Sequence, residues 1–288
     1  MTIRREWNDL PEGARQAVEH EIGKVLRAQS PTGGRNSELA ATLWADAGPV
    51  FCKGITTDSK LSVMHRNEIT VNPFLPDGLA PRLLWATEAD GWLLLGFEHV
   101  SGQHADFSPD SPDLRLVAEA VAEISRIPAP PVSVARRPMS EQWARALRRE
   151  SESPPPADAD PWSVENAELL VTWTTRAAGH MDGSSLIHTD PNCANFLVSD
   201  RARVIDWAWW QTGATWVDPA FAVPRLIAEG HDPESAEKWA RQVDGFAEAP
   251  SDALTAFAAS LLRLWERRFA DTPATNAARR WAQYRMAL

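Results

Sequence analysis

Two cysteines, Cys52 and Cys193, are all that the 288 residues contain. That rules out a disulfide framework and gives no reason to expect an oxidising compartment. No apolar run approaches the roughly 18 residues a membrane span requires. The opening segment, MTIRREWNDLPEGARQ, has neither the apolar core nor the small-residue cleavage site of a secretory signal, so the expected location is cytoplasmic. A basic excess is missing as well. The formal net charge of −10 argues against nucleic acid as a partner, and nothing points to a membrane. Tyrosine occurs once, whereas tryptophan occurs 14 times, and four of these, Trp207, Trp209, Trp210 and Trp216, follow one polar stretch directly. Such rings dominate cores by their area, and they also line ligand pockets.

What is present suffices for a large core: 44% of residues are hydrophobic and 24% charged, ordinary for a folded chain of this length. No internal repeat stands out, but two breaks do. SGQHADFSPDSPD (101–113) is rich in Ser, Pro and Asp, and SESPPPADADP (151–161) cannot continue a helix. Before the first break the pattern is strand-like. ELAATLWA and VFCKGI flank the turn signal Asp46-Ala47-Gly48-Pro49, and a second pair within PRLLWATEADGWLLLGFEHV turns at Glu88-Ala89-Asp90-Gly91. Helices are expected around residues 11–26 and from about Lys60 to Val71.

After the first break helices dominate. Ser111 can cap a helix with Pro112 at its first position. Trp162 to Ala178 reads as one long helix. Leu254, Phe257, Ala258, Leu261, Leu262 and Trp265 form a clear amphipathic stripe, and Asp232-Pro233 and Thr272-Pro273 are cap-plus-proline starts. The fold class expected is α+β and bilobal, with a small β-rich N-lobe (1–100) and a larger, mainly helical C-lobe (101–288).

The chemistry concentrates in LIHTDPNCANFLVSDRARVIDW (186–207). Asp190 and Asn195 lie five apart in a loop, FLV then starts a strand, and a second apolar run ends in Asp206. If SDRA turns the chain, Asp206 returns near Asn195. Transfer of a phosphoryl group from ATP needs Mg²⁺ on the phosphates, oxygen ligands for that metal, and a carboxylate at the attacking hydroxyl. Asn195 and Asp206 are hard oxygen ligands of the kind Mg²⁺ prefers, and Asp190 is then available to accept the proton.

HTDPNCAN resembles the H-x-D-x-x-x-x-N catalytic loop of the aminoglycoside phosphotransferase-like small-molecule kinases, which have a protein-kinase-like fold, and VIDW resembles their metal-binding strand. VFCKG, HRNE, GWLLLGFEHVSG and WVDPA resemble, in order, that family's lysine strand, acidic helix, interlobe hinge and D-P-A segment. The ordered set is far more specific than any one motif.

The resemblance implies that Lys53 contacts the α- and β-phosphates and is held by Glu68. It further implies that the backbone around Glu98 and Val100 binds adenine beside Phe97, that His188 supports the loop, and that Asp218 braces it from the next helix. SPTGGRNS stands where a loop covers the phosphates, with Gly33 and Gly34 allowing close backbone approach. Pro191 and Cys193 depart from the family's usual leucine and proline, and the segment from Asn195 to Asp206 is about two residues shorter than usual.

There is no D-F-G or A-P-E triplet, and only a short segment separates Asp206 from Asp218-Pro219-Ala220, which leaves no room for an activation segment that docks a polypeptide. The expectation is therefore ATP- and Mg²⁺-dependent phosphorylation of a hydroxyl on a small molecule, an aminoglycoside or other antibiotic among the candidates, in a pocket roofed by Trp207, Trp209, Trp210 and Trp216. Two alternatives stay open: a kinase of the same fold acting on an amino alcohol, sugar or nucleoside natural product, and a nucleotide-binding pseudokinase.

Overall fold

The structure is a computed structural model and describes residues 4–31, 37–134, 136–153 and 159–288. The chain folds as two compact units, Met1–Gln103 with Arg203–Trp209, and His104–Ala202 with Trp210–Leu288. Among the described residues no helix is long and apolar enough to cross a membrane.

The first unit opens with helix α1 (Glu12–Ile22), whose Ala14, Val18 and Ile22 are buried on one face. Gly23 ends it at a φ of 81°, in a left-handed region open to glycine at little cost. Helix was expected to continue to residue 26. Instead Val25 starts strand β1 (Val25–Gln29), because the backbone beyond Gly23 pairs with β2 (Leu39–Ala45). Strand β3 (Gly48–Thr56), helix α2 (Ser62–Val71) and strands β4 (Leu83–Ala89) and β5 (Trp92–Glu98) complete the unit's sheet, in the antiparallel order β1-β2-β3-β5-β4. Successive β3 side chains point to opposite faces. Val50 and Cys52 join α1 in one buried cluster, while Phe51 and Ile55 pack with Leu61 and Ile69 on the other face. Lys53 shares that second face, the one α2 covers. Gly96 in β5 is required by contact: a Cβ there would sit 2.1 Å from the Trp85 ring.

A two-residue strand, β6 (Gln103–His104), precedes the second unit's helices α3 (Asp113–Ile124), α4 (Met139–Ser151), α5 (Pro161–Glu165) and α6 (Ala167–His180). Helix α3 starts one residue later than its cap suggested, and the Ser111 hydroxyl accepts from the Asp113 amide at 3.3 Å. The single long helix expected from Trp162 is broken at Asn166, whose side chain donates to the Trp162 carbonyl at 2.9 Å. Strands β7 (Ser185–Ile187), β8 (Phe196–Val198), β9 (Ala202–Val204) and β10 (Gln211–Gly213) follow, and β7 pairs antiparallel with β10. The chain turns between β8 and β9, where the Ser199 amide donates to the Arg201 carbonyl at 3.1 Å.

Helices α7 (Val217–Ala228), α8 (Pro233–Ala240), α9 (Asp244–Ala247), α10 (Ser251–Phe269) and α11 (Pro273–Ala287) finish the chain. Asp232 and Thr272 cap α8 and α11 through their side chains. The centre of this unit is aromatic. Phe257 of α10 stacks on Trp143 at 5.0 Å between centroids and meets Trp216, Phe221 and Trp281 edge-on, geometries that favour aromatic pairs beyond their buried area.

Candidate active site

In the first unit the alternation of β3 aims Lys53 at α2. Its Nζ donates to Glu68 Oε1 at 2.8 Å and to Asp206 Oδ1 at 3.2 Å. A cation between apolar strand residues needs such partners, since burying an unpaired charge is costly. The segment carrying Asp206 is pinned beside α2. The Val204 amide donates to the Leu79 carbonyl at 2.7 Å, Asn67 Nδ2 donates to the Ala208 carbonyl at 3.0 Å, and the Trp207 amide donates to Glu68. Asp206 itself is left-handed, at a φ of 62°.

Burial works against the Lys53 ammonium, but Asp206 and Glu68 outweigh it and hold its pKa above the ordinary lysine range. Burial pushes the Glu68 carboxyl up to about 7, with the charge on Asp206 adding to the rise and Lys53 opposing it. One cation thus serves two carboxylates, and the more deeply buried of them bears the cost.

His65, one turn before Glu68, contacts the Ser37 hydroxyl at 3.2 Å. Burial first, then the Lys53 ammonium, hold its imidazole down at about 4, from an ordinary 6.5. Between these values the unfolded chain binds the extra proton, so the stability His65 contributes is full above 6.5 and falls as the pH drops towards 4, while Glu68, raised to about 7, contributes in the opposite sense. The His65 share of the change across that window is roughly 3 kcal/mol. Urea unfolding of wild type and His65→Gln side by side should show it, as a stability difference that moves in favour of wild type when the pH rises from 4 to 6.5. A difference between wild type and His65→Gln that does not change with pH through this range would contradict the assignment.

Phe97, Glu98 and Val100 lie at and just beyond the end of β5. The Phe97 ring is buried, with Lys53 Nζ 5.9 Å from its centre. Glu98 Oε1 accepts from Arg203 at 3.2 Å, and its amide donates to the Arg82 carbonyl at 2.8 Å. Gly33 and Gly34 lie outside the described residues.

In the second unit, β7 ends at Ile187 and the chain enters a tight loop. The amides of His188 and Thr189 donate to the two carboxylate oxygens of Asp218, at 2.8 and 2.7 Å. Asp218 is fully buried in the first turn of α7, and burial raises its pKa. This clamp holds Thr189 at a φ of 71°, a costly conformation for a β-branched residue and one that gathers at functional sites. His188 is wholly buried, and its Nδ1 accepts from the Asp190 amide at 3.3 Å.

Beyond this clamp the Asp190 carbonyl accepts from the Asn192 amide at 2.8 Å and from Asn195 Nδ2 at 2.9 Å. Asn195 Nδ2 also reaches Asp190 Oδ2, at 3.2 Å. A single helical turn, Cys193–Asn195, capped by Asn192, delivers Asn195 to this position. Burial raises the Cys193 thiol, which does not suit a nucleophile.

Arg225 was not among the residues expected. Its Nη2 donates to Asp190 Oδ1 at 3.2 Å. The signal available was its place seven residues after Asp218, a spacing that puts both on one face of α7.

Three of the four tryptophans do not form the expected roof. Trp207, Trp210 and Trp216 are at most 5% exposed. The Trp207 indole donates to the Val204 carbonyl at 3.0 Å, and Trp216 packs on Phe257. A ring whose faces are already covered has none to offer a ligand. Trp209 alone is half-buried.

Taken one unit at a time, the donor chemistry suits a hard cation. In the second unit Asn195 turns its amide nitrogen to Asp190, which leaves the oxygen as its ligating atom; in the first, Asp206 brings a carboxylate that is 35% exposed. Among the described residues no group of three or more His, Cys, Asp or Glu side chains could hold a metal by itself. Mg²⁺ does not require one, because it binds through one or two carboxylates together with phosphates and water.

The chain matches the phosphotransferase enzyme family over residues 61–259, well over half its length. It belongs to that family. No curated protein sequence matches it, but solved structures do. A ternary complex of aminoglycoside phosphotransferase APH(4)-Ia with AMP-PNP and hygromycin B superposes with a TM-score of 0.67 at 14% identity, covering 96% of this phosphotransferase and 99% of that chain. Aminoglycoside 2'-phosphotransferase-IIIa, solved as its GDP complex, gives 0.62 at 17% identity, covering 96% and 99%. Choline kinase LicA from Streptococcus pneumoniae gives 0.58 at 14% identity, again covering 96% and 99%. At these identities the likeness establishes the fold, which is the protein-kinase-like fold of the small-molecule phosphotransferases.

Proposed function

We propose that this phosphotransferase moves the γ-phosphoryl group of ATP to a hydroxyl of a small molecule. The observation that carries the reading is the Lys53 ammonium held between Glu68 and Asp206: a cation fixed for phosphate, beside a hard oxygen ligand. Lys53 binds the α- and β-phosphates, Glu68 keeps it in place, and the backbone at Glu98 and Val100 takes the adenine next to Phe97. Asn195 and Asp206 would hold Mg²⁺, which would neutralise the charge on the transferring phosphates.

Asp190 accepts the proton of the acceptor hydroxyl, whose oxygen forms the new bond to the γ-phosphorus. The bond from phosphorus to the β–γ bridging oxygen breaks, ADP leaves, and the proton passes from Asp190 to solvent. His188 and Asp218 support the loop that presents Asp190. The structural neighbours include kinases named for choline and aminopropanol and one bound to hygromycin B, so the acceptor class we favour is a hydroxylated amine, aminoglycosides included.

The test is ATP consumption over these three compounds, with the Mg²⁺ concentration varied. Asp206→Asn removes a charged ligand, a contact worth about 1.5–3 kcal/mol, and should raise the Mg²⁺ needed for half-maximal turnover at least about ten-fold. An unchanged Mg²⁺ dependence would move the metal site elsewhere.

A further inference from the structure

The Asp190 carboxylate is held by two donors of different origin. Asn195 Nδ2 meets Oδ2 at 3.2 Å from within the same loop, and Arg225 Nη2 meets Oδ1 at 3.2 Å from α7. The guanidinium is itself stacked. Its central carbon lies 4.7 Å from the centre of the Trp265 ring, on α10, within the range where a cation is attracted to an aromatic face. A planar guanidinium on a ring cannot swing as an ammonium can. Two elements therefore hold the carboxylate directly, its own loop and α7, and α10 backs the second of them through Arg225.

With one donor on each oxygen, rotation of the carboxylate is restrained, yet each oxygen keeps a second lone pair for a proton. Asp190 and Arg225 are each about one-third exposed, so the pair does not exist to rescue a buried charge, and a pair so exposed contributes little to folding. What it supplies is direction.

From this we infer that Arg225 is a positioning residue for the base Asp190, itself oriented by Trp265. The inference rests on the phosphotransfer reading above. It assigns to α7 and α10 a part in the chemistry and not only in packing. Loss of orientation at a reacting group lowers the rate of the step without weakening the binding of either substrate, and a displacement of about 1 Å can cost about 100-fold.

The experiment is steady-state kinetics on the full chain with Mg²⁺ and ATP. Hygromycin B, choline and 1-aminopropan-2-ol serve as the acceptor probes, and thermal unfolding is followed for each variant. Arg225→Met should lower kcat about 10–100-fold and leave both KM values within about two-fold. Arg225→Lys, which restores the charge without the flat stack, should recover part of the loss. Trp265→Leu should lower kcat roughly 2–5-fold in the wild-type background and have no further effect when added to Arg225→Met.

A kcat unchanged in Arg225→Met overturns the inference. So does a KM for the acceptor that rises alone, since Arg225 would then bind substrate, and so do additive effects of the two substitutions. Failure of the underlying reading looks different and is seen first: no wild-type turnover with any probe, or turnover that survives Asp190→Ala, removes the functional proposal and the role of Arg225 with it.

Discussion

Asp190→Ala is expected to lower acceptor-dependent ATP turnover by about 10²–10⁴-fold, the range for loss of a general base, while the thermal unfolding temperature stays within a few degrees of wild type. The separation of chemistry from stability follows from the geometry. Asn195 donates to the Asp190 backbone carbonyl at 2.9 Å as well as to the side chain, and alanine keeps that carbonyl. The amides that fix the loop, those of His188 and Thr189, bond to Asp218 and not to Asp190. Arg225 is left about one-third exposed and can be hydrated, so no charge is stranded in the interior. Asp190→Ala should therefore be a folded protein with an idle site. Turnover near the wild-type value would show that the proton goes elsewhere; a large drop in unfolding temperature would show that the carboxylate is structural.

Asp218→Ala should fail in the opposite way. The carboxylate is fully buried and accepts two backbone amides. Removing an acceptor from a buried donor costs about 1–3 kcal/mol each, so a destabilisation of about 2–5 kcal/mol is expected, or an unfolding temperature lower by about 5–15 °C for a chain of this size. Asp218→Asn should recover only part of the loss, because one of its two positions becomes a donor facing a donor. Turnover should fall along with stability, since Thr189 would lose the contact that holds it left-handed immediately before Asp190. Calorimetry beside turnover checks both. A wild-type unfolding temperature in Asp218→Ala would mean that the loop is held by other contacts.

The parts legible in the sequence were those written in local chemistry. The turns at Asp46–Pro49 and Glu88–Gly91 locate four strands, and Asp90 and Gly91 do adopt positive φ. Strict alternation in VFCKG is enough to separate Lys53 from Cys52 onto opposite faces. The loop from His188 to Asn195 was legible because its residues serve one another within a few positions.

What was missed depends on contacts far apart in sequence. Strand β1 is largely exposed and carries no period, so only its pairing with β2 reveals it. The second partner of Lys53, Asp206, is 153 residues away. Arg225 was hidden because a lone arginine on an apolar, proline-bearing helix reads as a solvated side chain. For the tryptophans the side-chain type is silent: the same ring serves a core or a pocket, and only burial tells Trp210 from Trp209.

The return of Arg203–Trp209 to the first unit has a consequence for how the chain is made. A ribosome emits roughly 5–20 residues per second, so between the appearance of Lys53 and that of Asp206, 153 residues later, roughly 8–30 seconds pass. Through that interval the sheet and α2 exist without their last segment, and Lys53 has Glu68 but not its second carboxylate. The first unit is thus held short of completion until His104–Ala202 of the second has been synthesised. Lys53 gains its second carboxylate only after the loop bearing Asp190 has already emerged.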